Sequence, residues 1–270
     1  MQHSASVKVG LRAGQKARSL YNRDMLNYRA EGDGPPILLL HGFGISFNIW
    51  TELIPLLRGR FSLVTVELPG IGLSPLPPLS YPYLAAAVDA LDSLRVSLAI
   101  PRWDVLSYSS GTRVAEAYLQ THADRVKRAV FLAPAYTTKG KAFGLRVAST
   151  IDARFPALGD WTLSGARLRF LIRLLGFNLR ADPSVDAWFS EIASQPREIL
   201  KATLRSLPGF GARPLAVPAN VPALFVWGSE DLITKTPRRP SARDVVIPAT
   251  HAMPQSRARE VGEILLSYLE

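Results

Sequence analysis

The feature that most constrains the fold is an alternation of short apolar segments with longer helical ones between residues 25 and 135. The short segments suit buried strands, and the longer ones carry apolar residues at helical spacing. The predicted strands cover residues 37–40, 61–68, 103–106 and 129–132, and the predicted helices cover residues 48–57, 83–98 and 110–122. Strands that alternate with helices in this way predict a parallel sheet covered on both faces. Short alternating segments such as residues 7–11 predict an antiparallel edge hairpin at the N-terminus.

The alternation stops at Pro134 and resumes near Val221, and the stretch between them is helical by pattern. One predicted helix covers residues 164–175, and a second begins at residue 196. Strands at residues 223–227 and 244–247 and a closing helix at residues 257–269 complete the pattern. We therefore predict an α/β core of residues 1–135 and 216–270, with a helical cap of residues 136–215 inserted between two strands.

Residues 103–119, WDVLSYSSGTRVAEAYL, pass from a predicted strand to a predicted helix through small and polar residues. Such a sharp turn strains the backbone at its apex. It also brings together the residues two positions before and two positions after the apex, and both of these must have small side chains. Centred on Ser109, those flanks are Ser107 and Gly111, whereas centred on Ser110 they would be a tyrosine and a threonine. The spacing favours Ser109 as the apex. A plain turn with a helix N-cap is the alternative interpretation.

A serine hydroxyl becomes an effective nucleophile when a base removes its proton and a carboxylate orients that base. Among the histidines, His251 lies in a loop between the last predicted strand and the last helix, at the sheet edge where strand ends converge. The other histidines lie in the N-terminal tail, at a strand end and at a helix end: His3, His41 and His122. Asp231, with Glu230 as the runner-up, follows another predicted strand to the same edge.

The chain order Ser109, Asp231, His251 on this pattern of strands resembles that of the α/β-hydrolase superfamily. Three further segments carry the resemblance, which covers residues 20–135 and 221–270. They resemble the family's His-Gly oxyanion loop, its acidic-x-Pro-Gly-x-Gly-x-Ser loop and its acid turn: HGFG at residues 41–44, ELPGIGLS at residues 67–74 and GSED at residues 228–231.

The resemblance implies an α/β-hydrolase fold: a mostly parallel, doubly wound sheet with N-terminal antiparallel edge strands and an inserted helical cap. It also implies that Ser109 is the nucleophile, that His251 is the general base and then acid, and that Asp231 orients His251. The backbone N–H groups of Phe43 and Ser110 would form the oxyanion hole. No metal or cofactor is expected for this chemistry.

The sequence departs from the family pattern at a few positions. Ser107 stands where the elbow usually has glycine, Gly44 replaces a proline, and Ile71 replaces a common histidine. None of these changes removes a group that catalysis needs. His41 is expected to be structural, buried behind the oxyanion loop. The absence of an aspartate nucleophile argues against epoxide hydrolases and haloalkane dehalogenases.

Composition excludes several classes of function. The chain has no cysteine, so disulfides, thiol catalysis and zinc–thiolate sites are excluded. Its formal net charge is +10, but the basic residues are scattered and no nucleic-acid-binding motif accompanies them. We find neither a signal-peptide pattern nor a membrane-spanning apolar run, and therefore expect a cytoplasmic protein with no transmembrane segment.

The predicted cap is rich in aromatic and aliphatic residues, which favours an apolar acyl or aryl ester as substrate. The candidate substrate-binding residues are Phe43, Tyr108, Trp161, Phe170 and Trp188. A serine hydrolase of carboxylic esters is the leading hypothesis. Carbon–carbon bond hydrolases, perhydrolases and acyltransferases of the superfamily use the same triad, and a non-enzymatic ligand receptor on this fold is a further alternative.

The predicted cap is also basic, with twelve basic and six acidic residues between positions 136 and 215. A basic and apolar cap would suit an acyl chain presented by an anionic membrane surface or by an acidic carrier protein. The simpler interpretation, which we favour, is that arginine stems cover apolar helix surface while their charged groups stay in water.

Overall fold

A single seven-stranded sheet forms the centre of the protein in the computed structural model, which describes residues 25–78, 80–135, 165–206 and 213–270. The strands are β1 (Tyr28–Glu31), β2 (Pro36–Leu40), β3 (Ser62–Val66), β4 (Trp103–Tyr108), β5 (Val126–Leu132), β6 (Ala223–Gly228) and β7 (Asp244–Ile247). Their order in the sheet is β1-β3-β2-β4-β5-β6-β7. Strand β1 pairs antiparallel with β3, and all the other pairs are parallel. The predicted parallel sheet is confirmed.

Both faces of the sheet are buried, each under its own hydrophobic cluster. Successive side chains of a strand point to opposite faces and therefore enter the two clusters in turn. In β2, Ile37 and Leu39 belong to one hydrophobic cluster, whereas Leu38 and Leu40 belong to the other. Strand β4 is buried along its whole length. This double burial explains why the parallel strands read as continuous apolar runs in the sequence.

Helices cover the sheet in the predicted positions, with three differences. They are α1 (Ile54–Leu57), α2 (Tyr83–Ser97), α3 (Gly111–His122), α4 (Gly165–Phe177), α5 (Ser184–Ser194), α6 (Arg197–Ser206), α7 (Met253–Ser256) and α8 (Ala258–Leu269). The single helix predicted at residues 48–57 is instead a 3₁₀ turn, Phe47–Trp50, followed by α1. Pro55 lies in the first turn of α1, and its missing N–H prevents a continuous helix across it. Helices α5 and α7 were not predicted, and α7 begins in what was expected to be the loop after β7.

Three described helices, α4, α5 and α6, lie between β5 and β6 in the chain, within the predicted cap, and pack over loops that follow β2 and β3. A Cβ on Gly44 would lie 3.0 Å from Leu200 of α6 and 3.2 Å from Ile192 of α5. A Cβ on Gly70 would lie 2.6 Å from Ile199 of α6. Glycine at these two positions therefore lets the cap approach the loop backbone closely.

The antiparallel edge strand lies later in the chain than the predicted hairpin. Strand β1 spans Tyr28–Glu31, whereas residues 7–11 lie outside the described residues. The short sequence YRAE gives no alternating apolar signal, and its place at the edge depends on backbone pairing, such as that of Tyr28 with Val66. Within the described ranges, no helix is long and apolar enough to cross a membrane.

Candidate active site

Ser109 lies at the apex of a sharp turn between β4 and α3, as predicted. Its φ of 51° is in the left-handed region, where a residue with a side chain is strained. A Cβ on Gly111 would lie 2.3 Å from the carbonyl oxygen of His41, so the second flank of the turn must be glycine. The first flank, Ser107, is completely buried and donates its hydroxyl to the carbonyl of Val130 at 3.2 Å. This hydrogen bond explains how serine is accommodated where glycine is usual.

The side chains of Ser109, His251 and Asp231 form one continuous chain of hydrogen bonds. The distance from Ser109 Oγ to His251 Nε2 is 2.9 Å, and that from His251 Nδ1 to Asp231 Oδ2 is 2.7 Å. A carboxylate accepts hydrogen bonds, so Nδ1 carries the proton and Nε2 is left to accept that of the serine hydroxyl. Ser109 and His251 are buried, and the side chain of Asp231 is fully enclosed.

Asp231 is fixed by its own loop as well as by His251. Its Oδ1 accepts the backbone N–H groups of Ile233 and Thr234, and its Oδ2 accepts the Thr234 hydroxyl at 2.6 Å. Burial by itself would raise the pKa of Asp231. The electrostatic interaction with the His251 ring and these hydrogen bonds outweigh burial, and the pKa of Asp231 is lowered. The carboxylate therefore stays ionised beside His251.

Glu230, the runner-up for the acid, points to a different partner. Its carboxylate forms an ion pair with Arg180 of the cap at 2.6 Å, and its carbonyl accepts the side-chain amide of Asn178. The two adjacent acidic residues therefore have different partners: Asp231 accepts from His251, and Glu230 pairs with Arg180.

Phe43 and Ser110, whose backbone amides are the predicted oxyanion-hole donors, both line one pocket. Neither amide donates a hydrogen bond to another backbone group within the described residues. Ser110 directly precedes α3, where helical N–H groups lack intrahelical acceptors and the helix dipole favours negative charge. The loop before Phe43 is shaped by Gly42, and Gly44 after it has a φ of 64°. Phe43 and Ser110 thus line one pocket with amides that no described backbone group uses, whereas Ser109 and His251 are not among the residues that line it.

His41 is buried and structural in its surroundings, behind the Phe43 loop. Its Nδ1 lies 2.8 Å from the carbonyl oxygen of Gly42, and its Nε2 accepts the backbone N–H of Leu68 at 2.9 Å. Burial lowers its pKa to about 4, although the Gly42 carbonyl and the charge of Glu67 act in the opposite direction. The neutral imidazole joins the loop after β2 to the loop after β3.

The loop at residues 67–74 closes on the Glu67 carboxylate. This carboxylate accepts hydrogen bonds from the Ser46 hydroxyl at 2.6 Å and from the Leu73 N–H at 2.7 Å. A Cβ on Gly72 would lie 2.1 Å from Glu67 Oε1, and the Ser74 hydroxyl donates to the Glu67 carbonyl. The acidic residue, the second glycine and the serine of this motif are therefore explained by one self-closed loop.

The predicted substrate-binding residues are in different situations. Phe43 borders the pocket, but Tyr108 is 1% exposed and offers no surface to a substrate. Phe170 is 57% exposed on α4, and Trp188 is buried with its Nε1–H donated to Gln255 Oε1 at 2.7 Å. Trp161 lies outside the described residues.

Several other residues that line this pocket were not predicted as substrate-binding. They include residues from the loop after β3 and from helices α2, α3 and α6: Ile71, Tyr83, Val114 and Thr203. The position of Thr203 depends on how α6 lies across the Gly44 and Gly70 loops, which no local sequence pattern reveals.

In the described part of the chain, no cluster of histidine, aspartate and glutamate residues has the geometry of a metal site.

Comparison with known proteins gives a consistent family and a range of reactions. A family model described as alpha/beta hydrolase fold matches residues 35–240. A pimeloyl-[acyl-carrier protein] methyl ester esterase of Aeromonas hydrophila subsp. hydrophila is 29% identical over 250 residues, which cover 87% of this chain and 95% of that protein. Haloalkane dehalogenase 2 of Mycobacterium bovis is 28% identical over 226 residues, covering 78% of this chain and 76% of the relative.

Solved structures agree with the fold. A thermophilic esterase from Thermogutta terrifontis, determined with malate bound, superposes with a TM-score of 0.71 at 22% identity. The superposition covers 90% of this chain and 92% of that chain. At this level of identity the similarity supports the architecture and leaves the reaction to be argued from the site itself.

Proposed function

The chain belongs to the α/β hydrolase fold family, and from this premise we propose that it is a serine hydrolase of carboxylic esters with apolar acyl or aryl groups. One observation carries the proposal: the unbroken hydrogen-bond chain from Ser109 through His251 to Asp231, with Ser109 strained at the apex of its turn. This arrangement is the one that activates a serine hydroxyl.

The proposed reaction has two steps, acylation of Ser109 and hydrolysis of the acyl-enzyme. Ser109 Oγ bonds to the ester carbonyl carbon while His251 Nε2 takes the hydroxyl proton, and the negative charge that develops on the carbonyl oxygen meets the N–H groups of Phe43 and Ser110. The carbon–oxygen bond to the alkoxy group then breaks, and that group leaves as the alcohol with the proton from His251. Water adds to the acyl-enzyme in the same manner and releases the acid and free Ser109.

Other reactions of the family remain alternatives to be separated by experiment. A carbon–carbon bond hydrolase, a perhydrolase or an acyltransferase would use the same triad on a different substrate or acceptor. A ligand receptor would bind without turnover. Haloalkane dehalogenation is not proposed, because the residue at the apex is a hydroxyl and not a carboxylate.

Turnover of p-nitrophenyl esters and labelling by a fluorophosphonate test the proposal directly. The wild-type protein should release nitrophenol many times per site and should be labelled once, on Ser109. Ser109→Ala should lose labelling and lower kcat by at least about 10⁴-fold, because the nucleophile is absent. Ser110→Ala is the matched control, since it removes a neighbouring hydroxyl but keeps the backbone N–H, and it should retain most activity. Labelling or turnover that survives in Ser109→Ala would overturn the proposal.

A carrier-protein ester is the second candidate substrate, supported by the similarity to the Aeromonas esterase and by the basic cap. The described cap cations include some with partners inside the protein: Arg169 pairs with Asp186 and lies over the ring of Phe189, and Arg180 pairs with Glu230. These contacts support the interpretation of arginine as a cover for apolar helix surface.

Salt dependence distinguishes the two substrates. Attraction to an acidic carrier should weaken as ionic strength rises past about 0.1 M, where the Debye length is near 10 Å. We would compare kcat/KM for one acyl methyl ester in free form, on anionic vesicles and on an acidic carrier protein, at low and high salt. A selective loss with the carrier favours that partner, a selective loss with vesicles favours a membrane surface, and equal behaviour indicates a solvated cap.

A further inference from the structure

Tyr108, the residue before Ser109, connects three of the loops that build the site. It is the last residue of β4, and its ring is almost completely buried on the same face of the sheet as Trp50. The two rings meet edge to face, with centroids 6.4 Å apart. Tyr108 therefore lies beneath the site, where it can act through its neighbours.

The hydroxyl of Tyr108 reaches the loop that carries the histidine. It donates a hydrogen bond of 2.8 Å to the backbone carbonyl of His251, which lies 143 positions away in the sequence. The N–H of the next residue, Ala252, donates to the carbonyl of Gly176 at the end of cap helix α4. The main chain at His251 is thus held from one side by the elbow and from the other by the cap.

The ring of Tyr108 also sets the distance to the oxyanion loop. A Cβ on Gly42 would lie 3.0 Å from Tyr108 Cδ1 and 3.2 Å from Ser109 Cβ, so the backbone before Phe43 rests directly on this ring and on the serine. Burial raises the pKa of the Tyr108 hydroxyl well above its ordinary value, and the charge of Asp231 raises it further. The hydroxyl therefore remains protonated and able to donate.

We infer that Tyr108 is a positioning residue, which fixes the distance between Ser109 and His251 by tying the elbow to the His251 main chain. The inference rests on the proposed function and extends it. It replaces the prediction that Tyr108 contacts the substrate. Phenylalanine at this position would fill the same space but would leave the buried His251 carbonyl without its donor.

The test compares two substitutions that each remove one tyrosine hydroxyl. Tyr108→Phe removes the hydroxyl bound to His251, whereas Tyr268→Phe, in α8, removes a buried hydroxyl with no hydrogen-bond partner in the described residues. In Tyr108→Phe, kcat should fall about tenfold, the equivalent of one net hydrogen bond, while KM stays within about twofold. Tyr268→Phe should leave both constants unchanged. Equal kcat values in the two variants would overturn the inference.

A second measurement does not depend on turnover. The proton shared by His251 Nδ1 and Asp231 should give a downfield ¹H NMR signal in the wild-type protein, and this signal should broaden or shift in Tyr108→Phe but not in Tyr268→Phe. If the wild-type protein neither turns over esters nor reacts with fluorophosphonate, the proposed function fails while the NMR comparison still tests Tyr108. An unchanged signal in folded Tyr108→Phe would reject the positioning role.

Discussion

At the scale of single residues, Asp231 and Glu230 are neighbours with different partners. Asp231 accepts the His251 Nδ1–H, and Glu230 pairs with Arg180. Asp231→Asn should therefore lower kcat by about 10³–10⁴-fold, because an amide can stabilise the wrong tautomer of the base. Glu230 is committed to the cap and should not rescue the variant.

The control for this prediction is Glu230→Gln, which changes the adjacent carboxylate in the same way. It should stay close to wild-type kcat for a soluble ester, since the pair with Arg180 is partly exposed. Steady-state kinetics on both single variants and on the double variant check the assignment. Substantial activity in Asp231→Asn that disappears in the double variant would mean that Glu230 can take the place of Asp231.

His41 predicts a pH dependence of stability at the same scale. Its pKa is about 4 in the folded protein, chiefly because of burial, and near 6.5 in the unfolded chain. The unfolded state therefore binds more protons between these values, and the free energy of unfolding should fall as pH is lowered from about 6.5 to about 4, by about 3 kcal/mol in all. Urea unfolding across this range measures the slope.

A variant that cannot titrate isolates the contribution of His41. In His41→Gln the side-chain oxygen can accept the Leu68 N–H in place of Nε2, so the slope should become shallower than that of the wild type. Identical slopes in the wild-type protein and in His41→Gln would show that His41 is not the group responsible.

At the scale of elements, helix α3 holds both chain segments that join the core to the cap. Arg113 pairs with Glu116 one turn later and donates to the carbonyls of Ala135 and Arg213. Glu116 in turn accepts the side chain of Arg213 and the N–H of Ala216. Residue 135 precedes the predicted cap, and residues 213–216 span its C-terminal boundary. One buried ion pair therefore holds both connecting segments next to the turn that carries Ser109.

Loss of this ion pair should destabilise the protein strongly. Arg113→Met removes the donors and leaves buried carbonyls and a carboxylate poorly compensated, which should cost about 3 kcal/mol or more. Arg125→Met breaks an exposed pair with Asp124 and should cost less than about 1 kcal/mol. Urea midpoints of the two variants provide the comparison. If they are equally stable, α3 does not fasten the cap through Arg113.

The elements that local chemistry defines were predictable from sequence. Ser109 could be located because its turn requires small side chains two residues before and after the apex. Its φ of 51° is the strained backbone conformation expected at that apex. Helical periodicity gave α4, where Leu168 and Ile172 are buried. The apolar residues of this helix are too many to lie on one buried face. Composition alone therefore could not predict that Phe170 is one of the exposed residues. Contacts between distant segments, such as Tyr108 with His251, had no sequence signal.

At the scale of the whole molecule, the cap and one face of the sheet share a single hydrophobic cluster. Residues of α4, α5 and α6, including Ile172, Trp188 and Leu200, belong to the same cluster as Leu106 of β4 and Val261 of α8. The strand–helix alternation predicted the sheet, and its interruption predicted the inserted helices. The hydrophobic core continues from the sheet into helices α4, α5 and α6. This continuity depends on how the two segments pack together, so the sequence pattern of either segment alone could not predict it.

This continuity predicts that the cap and the sheet unfold together. The ring of Trp188 meets that of Phe177 at 5.0 Å, and its Nε1–H is bound by Gln255, whose amide donates to the Asn48 carbonyl of the core. Trp188→Ala should therefore lower the free energy of unfolding of the whole protein by about 3–5 kcal/mol in a single transition. Circular dichroism during urea unfolding, with hydrogen exchange of amides in β4 and α5, follows both parts at once.

Phe170→Ala is the matched control for this last prediction, because it removes an aromatic side chain of the cap that is 57% exposed. Its effect should stay within about 0.5 kcal/mol. If Trp188→Ala accelerates exchange in both β4 and α5 by the same factor, the cap is part of one cooperative unit with the sheet. If α5 loses protection while β4 keeps the wild-type rate, the cap opens separately, and the shared cluster does not couple it to the elbow that carries Ser109.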